Sequence, residues 1–171
     1  LCATITADST AELRIQRDAV KDADLLELRV DTVHDLDLAG VLTGRTRPVI
    51  VTCRPVWEGG RFTGSEEERH RILHEALDLG AEWVDLEWRG GFEKLIKERD
   101  GRNIVLSSHD FDSTPMDLDE RYNAMRGTGA EIVKLAVRSR CASDVVRLFQ
   151  LGNAKRSDRF VLIGMGPAGV V

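Results

Sequence analysis

The feature that most constrains this fold is a regular alternation of short apolar runs with segments of helical periodicity. Strands that alternate with helices pair in parallel, so the pattern predicts an α/β fold. No low-complexity linker divides the chain, and residues 1–171 are therefore predicted to form a single domain. The seven candidate strands are Cys2–Thr6, Leu25–Val30, Pro48–Arg54, Trp83–Trp88, Asn103–Ser108, Glu131–Val137 and Phe160–Gly164.

Capping residues indicate where the intervening helices begin and end. A helix is predicted after Ser9 or Thr10, and a second after Ser65, which has Glu68 three residues later in a capping-box arrangement. Gly80 is predicted to end that second helix. Two further helical patterns, "TPMDLDERYNAMRGTG" (residues 114–129) and "CASDVVRLFQLG" (residues 141–152), complete the alternation.

Residue alternation within the candidate strands distinguishes two ways of building such a fold. In most strands one face is apolar and the other is polar or charged, with the charges toward the carboxyl end, as in "LLELRVD" (residues 25–31). A flat sheet between two helix layers needs apolar residues on both faces, whereas a barrel turns one face into a central cavity. The pattern predicts a (β/α)8 TIM barrel. Because seven strands are found, the eighth strand and the last helices are expected to be missing from this chain, so that the barrel is C-terminally incomplete.

Composition excludes several other classes of function. The net charge of −5 and the absence of a basic run argue against a nucleic-acid or anionic-membrane partner. The uncharged carboxyl-terminal run "FVLIGMGPAGVV" (residues 160–171) is too short and too rich in Gly and Pro to span a bilayer. Three widely spaced cysteines form no CxxC pair, and they predict reduced thiols in a cytoplasmic protein.

Lys134 is the unusual residue of the strand "EIVKLAV" (residues 131–137), since its neighbours are apolar. Burial and nearby cations lower the pKa of a lysine, and a neutral lysine attacks carbonyl groups to form an imine. Histidine moves protons near neutral pH, and arginine binds carboxylates through its planar fork. A barrel is expected to gather Lys134 with other inward polar side chains, namely Glu27, Arg29, Arg54, Glu87 and His109. These residue types predict Schiff-base chemistry on a small anionic keto acid.

Five motifs, in order along the chain, resemble those of type I 3-dehydroquinate dehydratase. They are "ELRVD" (27–31), "TCRPVWEGG" (52–60), "SSHDF" (107–111), "GAEIVKLAV" (129–137) and "IGMGPAG" (163–169). The resemblance implies a (β/α)8 barrel that converts 3-dehydroquinate to 3-dehydroshikimate in the shikimate pathway of aromatic amino acid biosynthesis. It also implies a hydro-lyase that needs no metal and no organic cofactor, and a homodimer is common in the family.

The same resemblance implies a role for each matching residue. Lys134 is expected to form the imine with the substrate ketone, His109 to transfer the protons, and Glu58 to support that histidine. The residues expected to line the substrate are Glu27, Arg29, Arg54 and Met165.

Two other functions remain open on the sequence. A class I aldolase or another Schiff-base barrel enzyme would keep Lys134 without requiring the first two motifs. A non-catalytic binding domain on the same scaffold is the third alternative, and the joint presence of Lys134 and His109 argues against it.

Overall fold

The computed structural model describes residues 1–169 and divides the chain into two compact units, Leu1–Asp85 and Leu86 onward. The boundary falls within the fourth strand. The prediction of a single domain over residues 1–171 stays a prediction. Its last two residues, which belong to the predicted start of a further helix, lie outside the described residues.

The first unit alternates strands and helices, and its strands pair in parallel in the order of the sequence. The 3₁₀ turn Val30–Thr32 directly follows the second strand. The 3₁₀ turn Val56–Glu58 follows shortly after the third strand. The elements are β1 (Cys2–Thr6), α1 (Thr10–Ala19), β2 (Leu25–Arg29), α2 (Leu38–Leu42), β3 (Val49–Thr52), α3 (Glu66–Asp78) and the start of β4 (Trp83–Glu87).

The second unit repeats this arrangement. Its strands β5, β6 and β7 are parallel and adjacent in that order, and the 3₁₀ turn Pro167–Gly169 follows the last of them. The elements are α4 (Glu93–Glu98), β5 (Ile104–Asp110), α5 (Leu118–Arg126), β6 (Ile132–Arg138), α6 (Ala142–Ala154) and β7 (Phe160–Met165).

All seven predicted strands are present, and their ends differ from the predicted ends by no more than two residues, as in β3 (Val49–Thr52 for Pro48–Arg54). The two predicted caps also form. The Ser9 and Ser65 hydroxyls accept hydrogen bonds from the backbone N–H groups three residues later, each at 3.2 Å. Helices α2 and α4 were not predicted, because five or six residues are too few to establish a helical period.

In both units one face of the strands is packed under helices. Leu26, Leu28 and Val51 are buried in the first unit, as are Val133 and Leu135 in the second. Each strand places successive side chains on opposite faces, so the polar residues between these apolar ones share the other face. None of the helices among residues 1–169 is long and apolar enough to cross a membrane.

Tyr122 of α5, the only tyrosine in the chain, is buried in the second unit. Its hydroxyl donates a 2.9 Å hydrogen bond to Oδ2 of Asp158, and its ring meets the ring of Phe160 edge-on. Burial, reinforced by the hydrogen bond to the Asp158 carboxylate, raises the pKa of Tyr122 to about 12 from an ordinary value of 10.0. The folded state therefore retains a proton that the unfolded state releases above pH 10.

A spectroscopic titration of this tyrosine is predicted to show the shift directly. Phenolate absorbance is expected to rise with a midpoint about two pH units higher in the folded protein than in urea. The Tyr122 contribution to stability is complete below pH 10 and is lost as the pH rises through the folded pKa, by roughly 3 kcal/mol in total. Tyr122→Phe should remove this part of the alkaline stability loss, and a folded-state midpoint near 10 would contradict the prediction.

Candidate active site

Glu27 of β2 lies on the polar face of the first unit, level with Thr4 of β1. Its carboxylate accepts hydrogen bonds from two threonine hydroxyls, at 3.0 Å from Thr4 and 2.7 Å from Thr52. These neighbours belong to the strands on either side of β2, so the carboxylate is oriented from both sides. Such a fixed carboxylate is suited to accept hydrogen bonds from the hydroxyl groups of a ligand.

Arg29, two residues further along β2, is held by Asp31. Nε and Nη2 of the guanidinium donate to Oδ1 and Oδ2 of Asp31, both at 2.8 Å. This paired hydrogen bond is the main reason why the pKa of Arg29 is raised, and burial opposes it only in part. Arg29 is therefore a permanently charged, oriented cation.

Arg54 follows β3 and is buried together with its partner, Asp85 of β4. Nη2 of Arg54 lies 2.9 Å from Oδ1 of Asp85. Arg54 therefore has an acidic partner within the first unit, and the sequence alone did not identify this pair.

Glu58 is the last residue of the 3₁₀ turn after β3, and it is buried. Several backbone hydrogen bonds hold the turn, among them those from Gly60 N–H to the Pro55 carbonyl (2.9 Å) and from Phe62 N–H to the Arg54 carbonyl (3.0 Å). A Cβ atom at position 60 would lie 2.0 Å from the Arg54 carbonyl oxygen, so this close approach requires glycine. Glu58 is thus placed on an ordered, tightly packed turn.

Lys134 occupies the centre of β6 in the second unit and is half-buried. The register pairs it with Ser107 of β5 and Val161 of β7, so these three side chains share a face. On the same face, His109 lies two residues beyond Ser107. The alternation predicted from the sequence therefore places Lys134 and His109 on one face of neighbouring strands.

His109 is half-buried, and its ring stacks on Phe111 with centroids 5.9 Å apart and planes 13° apart. Met165, the last residue of β7, is also half-buried, and its carbonyl accepts a 3.0 Å hydrogen bond from the Ser139 backbone. Glu87, at the end of β4, is buried. The second unit thus holds the candidate nucleophile and the candidate proton carrier on adjacent strands.

Within residues 1–169, no group of three or more His, Cys, Asp or Glu side chains is arranged to hold a metal ion. His74 on α3 contacts Asp78 one turn later, with 3.0 Å between Nδ1 and Oδ2.

Sequence reasoning missed the polar partners of the candidate residues. Thr4, Thr52 and Ser107 occupy positions that strand alternation puts on the polar face, so the signal was present. Asp31 belongs to the "ELRVD" motif, but its contact with Arg29 depends on the turn that follows β2.

Comparison with known proteins identifies the family of this chain. The model of type I 3-dehydroquinase matches residues 1–171. The chain belongs to the type I 3-dehydroquinase family. The prediction made from five motifs is confirmed, and so is the enzyme class, because the relatives are dehydratases and hence hydro-lyases by name.

This chain matches only part of the length of each of two named relatives. A bifunctional chloroplastic 3-dehydroquinate dehydratase/shikimate dehydrogenase of Arabidopsis thaliana is 34% identical over 184 residues, which include 100% of this chain but 30% of that protein. The 3-dehydroquinate dehydratase of Desulfotalea psychrophila is 36% identical over 159 residues, covering 87% of this chain and 70% of the relative.

Solved structures of the family have the same fold. One is type I 3-dehydroquinate dehydratase from Clostridium difficile, crystallised with covalently modified comenic acid. It superposes with a TM-score of 0.87 at 25% identity, and the match covers 99% of this chain and 76% of that chain. The 3-dehydroquinate dehydratase from Enterococcus faecalis superposes with a TM-score of 0.86 at 28% identity. The match covers 98% of this chain and 80% of that chain. The predicted (β/α)-barrel class, with seven strands present in the described residues, is confirmed.

The buried pair of Arg54 and Asp85 generates a prediction about stability. Asp85→Asn is expected to lower the free energy of unfolding by about 3–5 kcal/mol, because it removes the charge that compensates a buried guanidinium. Urea denaturation measures this change. The matched control is Asp100→Asn, whose pair with Arg102 is exposed and should contribute less than about 1 kcal/mol. Equal effects of the two substitutions would contradict the prediction.

Proposed function

We propose that this chain catalyses the dehydration of 3-dehydroquinate to 3-dehydroshikimate in the shikimate pathway through an imine on Lys134. The observation that carries the proposal is the position of Lys134. It is a half-buried lysine at the centre of a strand, in a motif of the type I 3-dehydroquinase family, and its register neighbour Ser107 is a buried hydroxyl. A central strand position fixes the backbone of the nucleophile, and the polar face gives it access to a substrate.

In the proposed reaction, the neutral amine of Lys134 attacks the ketone carbon, and loss of one water molecule with uptake of one proton from solvent gives a protonated imine. The positive imine draws electrons from the neighbouring C–H bond, and His109 accepts that proton to leave an enamine. His109 then donates the proton to the departing hydroxyl group, which leaves as water while the electrons of the enamine return to the imine. Hydrolysis of the protonated imine consumes one water molecule, returns one proton to solvent, and releases the product and the neutral amine of Lys134, so the net change is the loss of one water.

The remaining candidate residues supply binding and orientation in this proposal. Arg29 and Arg54 offer permanent positive charge for the substrate carboxylate, while the carboxylate of Glu27 accepts hydrogen bonds from substrate hydroxyls. Glu58 supports His109, and Met165 packs beside the imine. Because Lys134 itself supplies the electron sink, the proposal includes neither a metal nor an organic cofactor.

The partner of the enzyme is a small-molecule substrate, and a net charge of −5 does not favour binding to nucleic acid or to an anionic membrane surface. The three cysteines are free thiols, which agrees with a cytoplasmic location. A homodimer is proposed from the family resemblance alone.

Trapping of the imine is the most direct test. Borohydride added with 3-dehydroquinate is expected to reduce the imine and leave a stable substrate-derived mass on the peptide that contains Lys134. Lys134→Ala should abolish both the adduct and the activity, whereas Lys94→Ala, a control at a solvent-exposed helix position, should retain both. An adduct on another lysine, or near-normal turnover of Lys134→Ala, would refute the proposed nucleophile.

Substitution of His109 separates proton transfer from imine formation. His109→Ala is expected to slow turnover by about 10²–10⁴-fold, while the borohydride adduct on Lys134 still forms. His74→Ala, at an exposed position of α3, serves as the control and should leave the turnover rate unchanged. If His109→Ala formed no adduct at all, the proposed division of roles between His109 and Lys134 would be wrong.

A further inference from the structure

Asp31 is a completely buried carboxylate in the turn that directly follows β2. The turn region is fixed by contacts with the two residues that directly follow β1. The Thr32 hydroxyl donates a 2.7 Å hydrogen bond to the Ala7 carbonyl, and His34 N–H donates to the Asp8 carbonyl at 3.0 Å. The carboxylate of Asp31 is therefore presented from a rigid backbone.

Both oxygens of Asp31 accept hydrogen bonds within the first unit. Oδ1 accepts from Nε of Arg29, while Oδ2 accepts from Nη2 of Arg29 (2.8 Å) and from the backbone N–H of Arg61 (3.0 Å). One carboxylate thus contacts two elements that the proposed reaction uses. They are the arginine at the end of β2 and the segment after β3 that contains Glu58.

This arrangement limits the directions in which Arg29 can bind a ligand. Asp31 occupies the Nε and Nη2 edge of the guanidinium, and among residues 1–169 the side chain of Arg29 makes no other hydrogen bond. Its Nη1 group remains available for a ligand, and 23% of the side chain is exposed. Asp31 neutralises the positive charge of Arg29 only in part, and it fixes the plane of the guanidinium. The Nη1 edge of Arg29 is therefore oriented before any substrate binds.

We propose that Asp31 is a positioning residue for the dehydration, which orients Arg29 toward an anionic substrate and anchors the Glu58 segment through the backbone of Arg61. The proposal rests on the proposed function for its kinetic part. Its structural part, the control of Arg29 and of residues 58–64, is testable without any activity.

The kinetic test compares two isosteric substitutions in the full chain. Asp31→Asn is expected to raise KM for 3-dehydroquinate about tenfold, because the orientation of Arg29 is lost, and to lower kcat by a smaller factor, because the loosened Glu58 segment supports His109 less well. Asp117→Asn is the control. Asp117 also binds an arginine, Arg121, whose side-chain exposure of 24% matches that of Arg29, but it has no role in the proposed site. Its KM and kcat should stay at the native values.

The second test labels arginines with phenylglyoxal and measures each site by mass spectrometry. Asp31→Asn should raise the labelling rate of Arg29 several-fold and leave that of Arg121 unchanged, whereas Asp117→Asn should do the reverse. Amide hydrogen exchange should also become faster at residues 58–64 in Asp31→Asn, because the acceptor of Arg61 N–H is weakened. These readouts depend on the folded protein and not on catalysis.

The outcomes are distinct. Native protein without dehydratase activity would refute the proposed function, and labelling and exchange would still decide the role of Asp31. An unchanged KM in a folded Asp31→Asn variant, or unchanged labelling of Arg29, would overturn the proposal. Asp31→Glu covers the case in which Asp31→Asn fails to fold. It keeps the charge but displaces the carboxylate by one methylene, so KM should still rise about tenfold, and a native KM in that variant would also overturn the proposal.

Discussion

The alternation of side chains along a parallel strand is the constraint on which the rest of this structure depends. One set of positions, such as Leu26 and Leu28, must lie under the helices, so the intervening set can hold polar groups. A shift of one residue would place Glu27 and Arg29 in the apolar layer, and the cost of burying unpaired charges excludes that register. Burial of the apolar face therefore also determines which polar side chains become neighbours.

Two arginines at strand ends of the first unit are each held by an acidic partner. Arg54 contacts Asp85, and Arg29 contacts Asp31 through two hydrogen bonds. A buried ion pair adds little net stability relative to apolar residues, but removal of one member leaves an expensive unpaired charge. The pairs are thus better understood as devices that fix the orientation of arginines than as sources of stability.

The strands and much of the candidate site were predictable because alternation and capping are local properties of sequence. Lys134 and Ser107 share a face as the two-residue period requires, and Ser65 caps α3 as its spacing with Glu68 indicates. The short helix Leu38–Leu42 was not predictable from its period. The contact between Asp31 and the Arg61 backbone was not predictable either, because a contact between residues 31 and 61 depends on how two turns fold.

The two 3₁₀ turns of the first unit show how the chain places acidic groups where strands end. A regular helix beginning at the same point would use its first turn to move the chain away along the helix axis. A three-residue turn instead keeps Asp31 beside the strand end that carries Arg29. The second turn holds Glu58 by a 3.1 Å hydrogen bond from its N–H to the Pro55 carbonyl, and it brings Gly60 so close to the Arg54 carbonyl that only glycine fits there. Tight turns at strand ends therefore place oriented charged groups beside the regular strands. Recognition of a polyhydroxylated carboxylate requires such groups.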